Sequence, residues 1–402
     1  MTVLNRNLIV LMSCQLVGAL GSIILVTLGG IVGRELAANP ALATLPLSAM
    51  VVCVALTTVP AALLMARIGR RRAFIASALV ATAGVLLVAL ALVRESFFML
   101  CVGTGLYGVH MAFVQQYRFA AVECVASEHA SRAISLVLLG AIGGAVVGPI
   151  LVAQGRDAVT DVAYVGTMLM LVVALLAAAV AMSLLRDTAV ESKDERSTPP
   201  RPLLQIARSP GYLIAVLCAG VGYGVMTFVM TATPLSMHVH DGFTIEQTAN
   251  VVRVHVIAMY APSLVSGYLM ARFGVRRMMT IGALLLMATL GVGVGGQELM
   301  HYTLALVALG VGWNFLYVGG TTLLTRTYLP RERFKAQALN DLTVFAMSAT
   351  ASLLSGSVMG WFGWQAVMAV AFPPLLIVLV ALTILRGRAS LAPPLAKNPS
   401  GN

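Results

Sequence analysis

The octet Met65-Ala66-Arg67-Ile68-Gly69-Arg70-Arg71-Arg72 returns as Met270-Ala271-Arg272-Phe273-Gly274-Val275-Arg276-Arg277, with Met270 placed 205 residues after Met65 in a chain of 402. Both octets stand between long apolar runs and close the second run of their half. A second echo lies further on: Arg118 is followed by Arg132-Ala133 in the first half, and Arg326 by Lys335-Ala336 in the second. The chain therefore reads as two related halves, each with the same order of apolar runs and basic loops.

Composition places those runs in a bilayer. Hydrophobic residues make up 59% of the chain and charged ones 10%, with a mean hydropathy of +0.93; a soluble domain carries roughly 25% charged residues. A helix needs about 20 apolar residues to cross the hydrocarbon layer, and twelve such runs occur, numbered here as spans 1 to 12. They cover 7–33, 45–66, 73–93, 97–117, 133–154 and 162–185 in the first half, then 211–236, 244–270, 278–297, 301–324, 338–360 and 364–385 in the second. Strands of a membrane barrel would alternate polar and apolar residues in pieces of about ten, and these runs are continuously apolar. The first exceeds the roughly 7 to 15 residues of a signal-peptide core and reads as a retained helix.

The net charge of +11, from 26 Lys and Arg against 15 Asp and Glu, would suit a nucleic-acid surface in a soluble chain. Here the cations fall in short loops on one side: Arg6, Arg67 to Arg72, Arg118, Arg132, Arg186 to Arg208, Arg272 to Arg277 and Arg326 to Lys335. Arg34, Arg94 and Arg156 fall on the other, and Arg253 near the start of span 8. Cytoplasmic loops collect Lys and Arg. Both termini are then cytoplasmic, the chain is multi-pass, and its partner is the lipid bilayer rather than nucleic acid. Cys14, Cys53, Cys101 and Cys218 lie in spans and Cys124 in a cytoplasmic loop, unlike a disulfide framework. In this reading residues 1–185 form one six-helix bundle, 186–210 a charged, Pro-containing linker, 211–386 a second bundle and 387–402 a cytoplasmic tail.

With these features in place, the chain resembles the major facilitator superfamily over its whole length. Ala62-Leu63-Leu64-Met65-Ala66-Arg67-Ile68-Gly69-Arg70-Arg71 is similar to that superfamily's Gly-x-Leu-x-Asp-Arg-x-Gly-Arg-Arg signature, with Ala62 at the first Gly and Ala66 at the acidic position. The resemblance implies an all-α integral membrane fold of two pseudo-symmetric six-helix bundles, alternating access, a monomer, and gating loops at Arg67, Gly69, Arg70, Arg272, Gly274 and Arg276. Span 5 carries Gly144-x-x-x-Gly148-Pro149, similar to the superfamily's antiporter motif but lacking its trailing Gly pair. Small residues at that spacing also let two helices approach closely, and packing is the reading taken here.

Polar groups inside spans point to a solute path, because ionisable groups resist burial in lipid. They are His110, Gln115 and Gln116 in span 4, Arg253 and His255 in span 8, Asn314 and Tyr317 in span 10, and Asn340 and Asp341 at the start of span 11. Met226-x-x-x-Met230 in span 7 and His255-x-x-x-Met259 in span 8 each place two groups one turn apart on one face. Counted from the turn near His240, Met226 and His255 lie at about the same depth. If those faces converge, three thioethers and an imidazole surround one point, a set that favours Cu(I). Methionine is also ordinary core filling, and with 21 Met in the chain about one such Met pair is expected by chance. Met237, His238 and His240 follow span 7, where an extended loop would let them capture metal at the periplasmic mouth.

Met226, Met230, His255 and Met259 match the motifs that characterise the CcoA-type copper importers, which the chain resembles at these positions. That resemblance implies secondary-active import of copper, as Cu(I), for cytochrome oxidase assembly, with copper as substrate and no permanently bound cofactor. The superfamily implies proton coupling, for which Asp341 and His110 are the candidates. The same wider group includes riboflavin importers. A second reading is therefore an organic solute such as riboflavin, held by Tyr107, Gln115, Gln116, Trp313, Asn314 and Tyr317 through stacking and hydrogen bonds. The sequence has no Walker-type phosphate loop and no linked acid-base or nucleophile constellation, so a transporter is expected rather than an enzyme.

Overall fold

The computed structural model describes residues 4–37, 45–159, 162–186 and 200–384. Most of the expected 186–210 linker and all of the 387–402 tail lie outside the described residues. The chain divides into two compact units, Met1–Val190 and Glu191–Asn402, and the regular elements among the described residues are helical.

In the first unit spans 1 to 6 are Arg6–Leu36, Leu45–Ile68, Arg70–Val93, Phe97–Val114, Ala130–Gly155 and Val165–Ser183, with a short helix Tyr117–Val122 after span 4. In the second unit span 7 is Pro210–Pro234, span 9 is Val275–Gly295 and span 10 is Leu299–Leu324. Span 8 is broken into Ile245–Tyr260 and Ser263–Phe273 at Pro262, which has no N–H to continue the ladder. Spans 11 and 12 follow one another within Arg333–Ile384, which is interrupted at Gly363 with φ +78°. An unbroken helix of 52 residues would be about 78 Å long, more than twice a hydrocarbon layer. Gly363 takes the left-handed conformation that side chains disfavour and separates the two spans. Beside it Trp361 is 79% exposed, and Leu353 on span 11 equally so; such faces are stable against lipid and an aromatic residue suits its interface.

The two units share a packing plan. Span 1 packs on 5 as 7 on 11, span 2 on 4 as 8 on 10, span 3 on 4 as 9 on 10, and span 3 on 6 as 9 on 12. The repeated octets match at the backbone as well. Gly69 and Gly274 have φ of +83° and +90°, and each donates its N–H at 3.0 Å to the carbonyl four residues back, Met65 or Met270. A glycine is required there for conformation rather than space, since a Cβ at either would meet nothing within 4 Å.

The side chains around the octets differ. Arg70 is buried and grips Glu123 with two bonds, Nη2 to Oε1 at 2.6 Å and Nε to Oε2 at 2.9 Å. Its repeat partner is Val275, so the second unit builds its ion pair elsewhere. Glu332, 2% exposed, accepts from Arg201 Nη2 at 2.6 Å, Arg201 Nε at 2.9 Å, and the N–H groups of Arg201 and Leu329, both at 2.8 Å. Acceptance by Glu332 raises the Arg201 pKa above its ordinary value against the opposing cost of burial. Removing one partner of a buried pair costs about 3 kcal/mol, and partial exposure of Arg201 lowers this to about 2 kcal/mol. Glu332→Ala is therefore expected to lower the thermal unfolding midpoint in detergent by about 5 °C, and Glu332→Gln by less. An unchanged midpoint for the alanine variant would show that the Arg201–Glu332 pair contributes nothing.

Candidate functional site

Spans 7 and 8 both pack against span 10, and this decides where the Met and His motifs point. His255 is fully buried and its Nδ1–H donates to the Leu306 carbonyl of span 10 at 2.8 Å. One turn on, Met259 lies where span 8 meets Gly310, whose added Cβ would stand 2.8 Å from the Met259 nitrogen. His255 and Met259 thus share a face turned to span 10. Met226 is buried in span 7 and Met230 half-buried. Among the described residues no three His, Cys, Asp or Glu side chains are grouped to hold a metal ion.

The segment expected as an extended loop, with Met237, His238 and His240, is instead a wide helical turn, Leu235–His240, that prolongs span 7. Ser236 and Asp241 both bond the Tyr302 hydroxyl, at 2.5 and 2.6 Å, which holds the turn against span 10. Met237 is wholly buried while His238 and His240 are exposed, so helical periodicity separates the thioether from the imidazoles. His238 Nδ1–H is in addition bonded to the Phe243 carbonyl at 2.8 Å.

Of the residues expected in the gating loops, Arg67 is exposed, Arg272 donates to the Tyr268 hydroxyl at 3.1 Å, and Arg276 Nε donates to the Leu382 carbonyl at 2.8 Å. The coupling candidates are both buried: His110 Nδ1 lies 3.1 Å from Ser77 Oγ, and Asp341 Oδ1 accepts from Asn340 Nδ2 at 2.8 Å.

The six residues proposed to hold an organic ring fall in two separate units. Tyr107 donates to the Gly18 carbonyl at 2.8 Å, and Gln115 and Gln116 form the break that ends span 4. Trp313, Asn314 and Tyr317, by contrast, belong to a dense aromatic cluster on span 10. Trp313 stacks on Tyr317 with centroids 4.9 Å apart and planes 16° from parallel. Tyr223 of span 7 meets Trp313, Tyr317 and Phe345 edge-on at 5.6, 5.4 and 5.6 Å, and Tyr260 of span 8 meets Trp313 at 5.8 Å. Tyr223, Tyr260 and Phe345 were not legible as partners because they come from three other helices. The one available sign was Tyr223 three residues before Met226, on nearly the same helical face.

Asn314 ties this cluster to the broken helix. Its Nδ2 donates to the Met259 carbonyl and to Ser263 Oγ, both at 2.8 Å, across the interruption at Pro262. A carbonyl left without its helical donor by the break thus finds a side-chain donor on the neighbouring span, as a lipid-embedded kink requires.

Comparison with known proteins agrees with the architecture: the pattern of the Major Facilitator Superfamily matches residues 11–244 and 227–401. The chain belongs to that superfamily and is a multi-pass inner-membrane transporter, not an enzyme. It is 38% identical over 385 residues to the riboflavin transporter RfnT of Brucella anthropi, covering 95% of this chain and 96% of that one. It is 26% identical to the uncharacterised transporter YdeG of Bacillus subtilis, over 96% of this chain and 93% of that protein. In fold it is similar to the transporter FucP, with a TM-score of 0.75, 16% identity, and coverage of 95% and 98%.

These findings overturn the copper reading. The full-length similarity is to a riboflavin transporter rather than to a CcoA-type importer, and no His, Cys, Asp and Glu grouping suited to a metal exists among the described residues. Copper is therefore not retained as the substrate. The motif match at Met226, Met230, His255 and Met259 misled because Met and His at helical spacing also arise from packing, and the His255–Met259 face packs on span 10.

Proposed function

We propose that this protein is a secondary-active importer of a small organic solute of the riboflavin kind, working by alternating access as a monomer. The observation that carries the reading is the 38% identity to a riboflavin transporter across 95% of the chain. The aromatic cluster of span 10 supports it, since a planar heteroaromatic ring is a natural partner for stacked and edge-on rings. Proton coupling through Asp341, with His110 as the second candidate, and gating by the octet loops around Gly69 and Gly274 complete the proposal.

The test is paired uptake of radiolabelled riboflavin and radiolabelled copper in cells that carry the wild type or Met230→Leu, with expression matched. Riboflavin should accumulate above vector cells and be indifferent to Met230→Leu, while copper uptake stays at the vector level. Riboflavin uptake no higher than in vector cells would overturn the proposal.

A further inference from the structure

Span 10 holds a donor and an acceptor on consecutive residues that find no partner. Trp313 Nε1 and Asn314 Oδ1 are both buried and both without a hydrogen bond, on residues 2% and 0% exposed. The orientation of the Asn314 amide follows from its surroundings: the Met259 carbonyl can only accept, so Nδ2 faces it and Oδ1 is the atom left over. Unpartnered polar atoms are costly in a membrane-embedded core, where bulk water cannot serve them. They call for an occupant that brings an acceptor to the indole N–H and a donor to the amide oxygen.

The aromatic rings beside them limit what that occupant is. Tyr317 and Phe345 are buried, whereas Tyr223 and Tyr260 each keep part of their surface exposed and both stand edge-on to Trp313. The buried rings pack against Tyr223, and Tyr223 and Tyr260 are the two tyrosines of this cluster that are only half-buried. We propose that this corner of the second unit is a ring-recognition subsite. A planar heteroaromatic ring rests on Tyr223 and Tyr260, its carbonyl accepts from Trp313 Nε1–H, and its imide N–H donates to Asn314 Oδ1. An open polyol chain has no ring for the tyrosines, and a plain hydrocarbon ring has nothing for the donor-acceptor pair. The ring system of riboflavin carries a carbonyl and an imide N–H along one edge, so this inference rests on the riboflavin-class reading and locates the ring within it.

The experiment uses the purified full-length protein in detergent and lumichrome, the riboflavin ring system without its ribityl chain, with saturable binding followed by equilibrium dialysis. Trp313→Phe keeps a ring and deletes the N–H. It should raise the lumichrome Kd about three- to tenfold, the range of one lost neutral hydrogen bond. Lumichrome methylated at its imide nitrogen should bind the wild type at least about threefold more weakly, an arm that needs no variant to fold. Equal affinity of the wild type for both rings, or a Kd unchanged in folded Trp313→Phe, would overturn the subsite and leave water as the occupant of these groups. The two readings fail separately. Absent riboflavin uptake with Trp313-dependent lumichrome binding removes the proposed function and keeps the subsite, while uptake with binding indifferent to both changes does the reverse.

Discussion

Gly144→Val is expected to abolish recovery of folded protein, read as loss of the monodisperse peak on size-exclusion chromatography in detergent. A Cβ at residue 144 would stand 2.5 Å from the Leu20 nitrogen, 2.7 Å from the Leu16 oxygen and 2.8 Å from the Ala19 Cβ. Two of those three atoms are helix backbone, which cannot rotate away, so spans 1 and 5 must separate. Overpacking costs about 1–3 kcal/mol even where side chains yield. It weighs more here because helices in lipid associate through close van der Waals contact, without a hydrophobic drive to pull them back. Controls are built into the same chain. At Gly143 the added Cβ meets only the Leu16 side chain, nearest at 2.5 Å, so Gly143→Ala should be mild. At Gly356 it meets nothing within 4 Å, and Gly356→Ala should be neutral or stabilise by up to about 1 kcal/mol through helix propensity. If Gly144→Val matched Gly356→Ala in peak and thermal midpoint, the close approach of spans 1 and 5 would be wrong.

The same glycine shows what could be read from the chain alone. A small-residue spacing in an apolar run reports a close helix contact because only backbone proximity demands it, and Gly144 does meet span 1 backbone. The octets were equally legible as repeated links between two spans; that each turns on a glycine with positive φ, Gly69 or Gly274, is what the structure adds. The breaks and partners were not. Pro262 announces that span 8 is interrupted, yet nothing local says that Asn314, 52 residues later, will serve the Met259 carbonyl. Arg70 reads as one of several loop arginines until Glu123 is seen against it, and Glu332 cannot be matched to Arg201 by spacing. The copper assignment failed for a related reason. Periodicity tells which residues share a face on one helix, but which helix that face meets is tertiary information. His255 and Met259 do share a face, as the spacing requires. The neighbour is span 10, and the copper reading had placed span 7 there.

Asp341→Asn is expected to abolish riboflavin uptake driven by an imposed pH gradient while leaving riboflavin counterflow intact. Asp341 is fully buried, and an ionisable group at such a position in a membrane protein is retained for work more often than for packing. Four residues on, along one helical face, Phe345 touches Tyr223 at 5.6 Å. A change of charge at residue 341 therefore occurs one turn from the aromatic cluster, whereas His110 lies in the other unit with its Nδ1 set against Ser77. This proximity is the physical reason for preferring Asp341 as the coupling group. Asparagine has nearly the same shape, so the helix and its packing should persist, but it cannot take up and release a proton. Net uptake against a solute gradient needs that proton cycle; exchange of labelled for unlabelled riboflavin does not. Loss of both activities in a variant that still elutes as folded protein would assign Asp341 to solute binding or to helix packing. Retention of both would shift the coupling role to His110, where His110→Gln should then remove gradient-driven uptake alone.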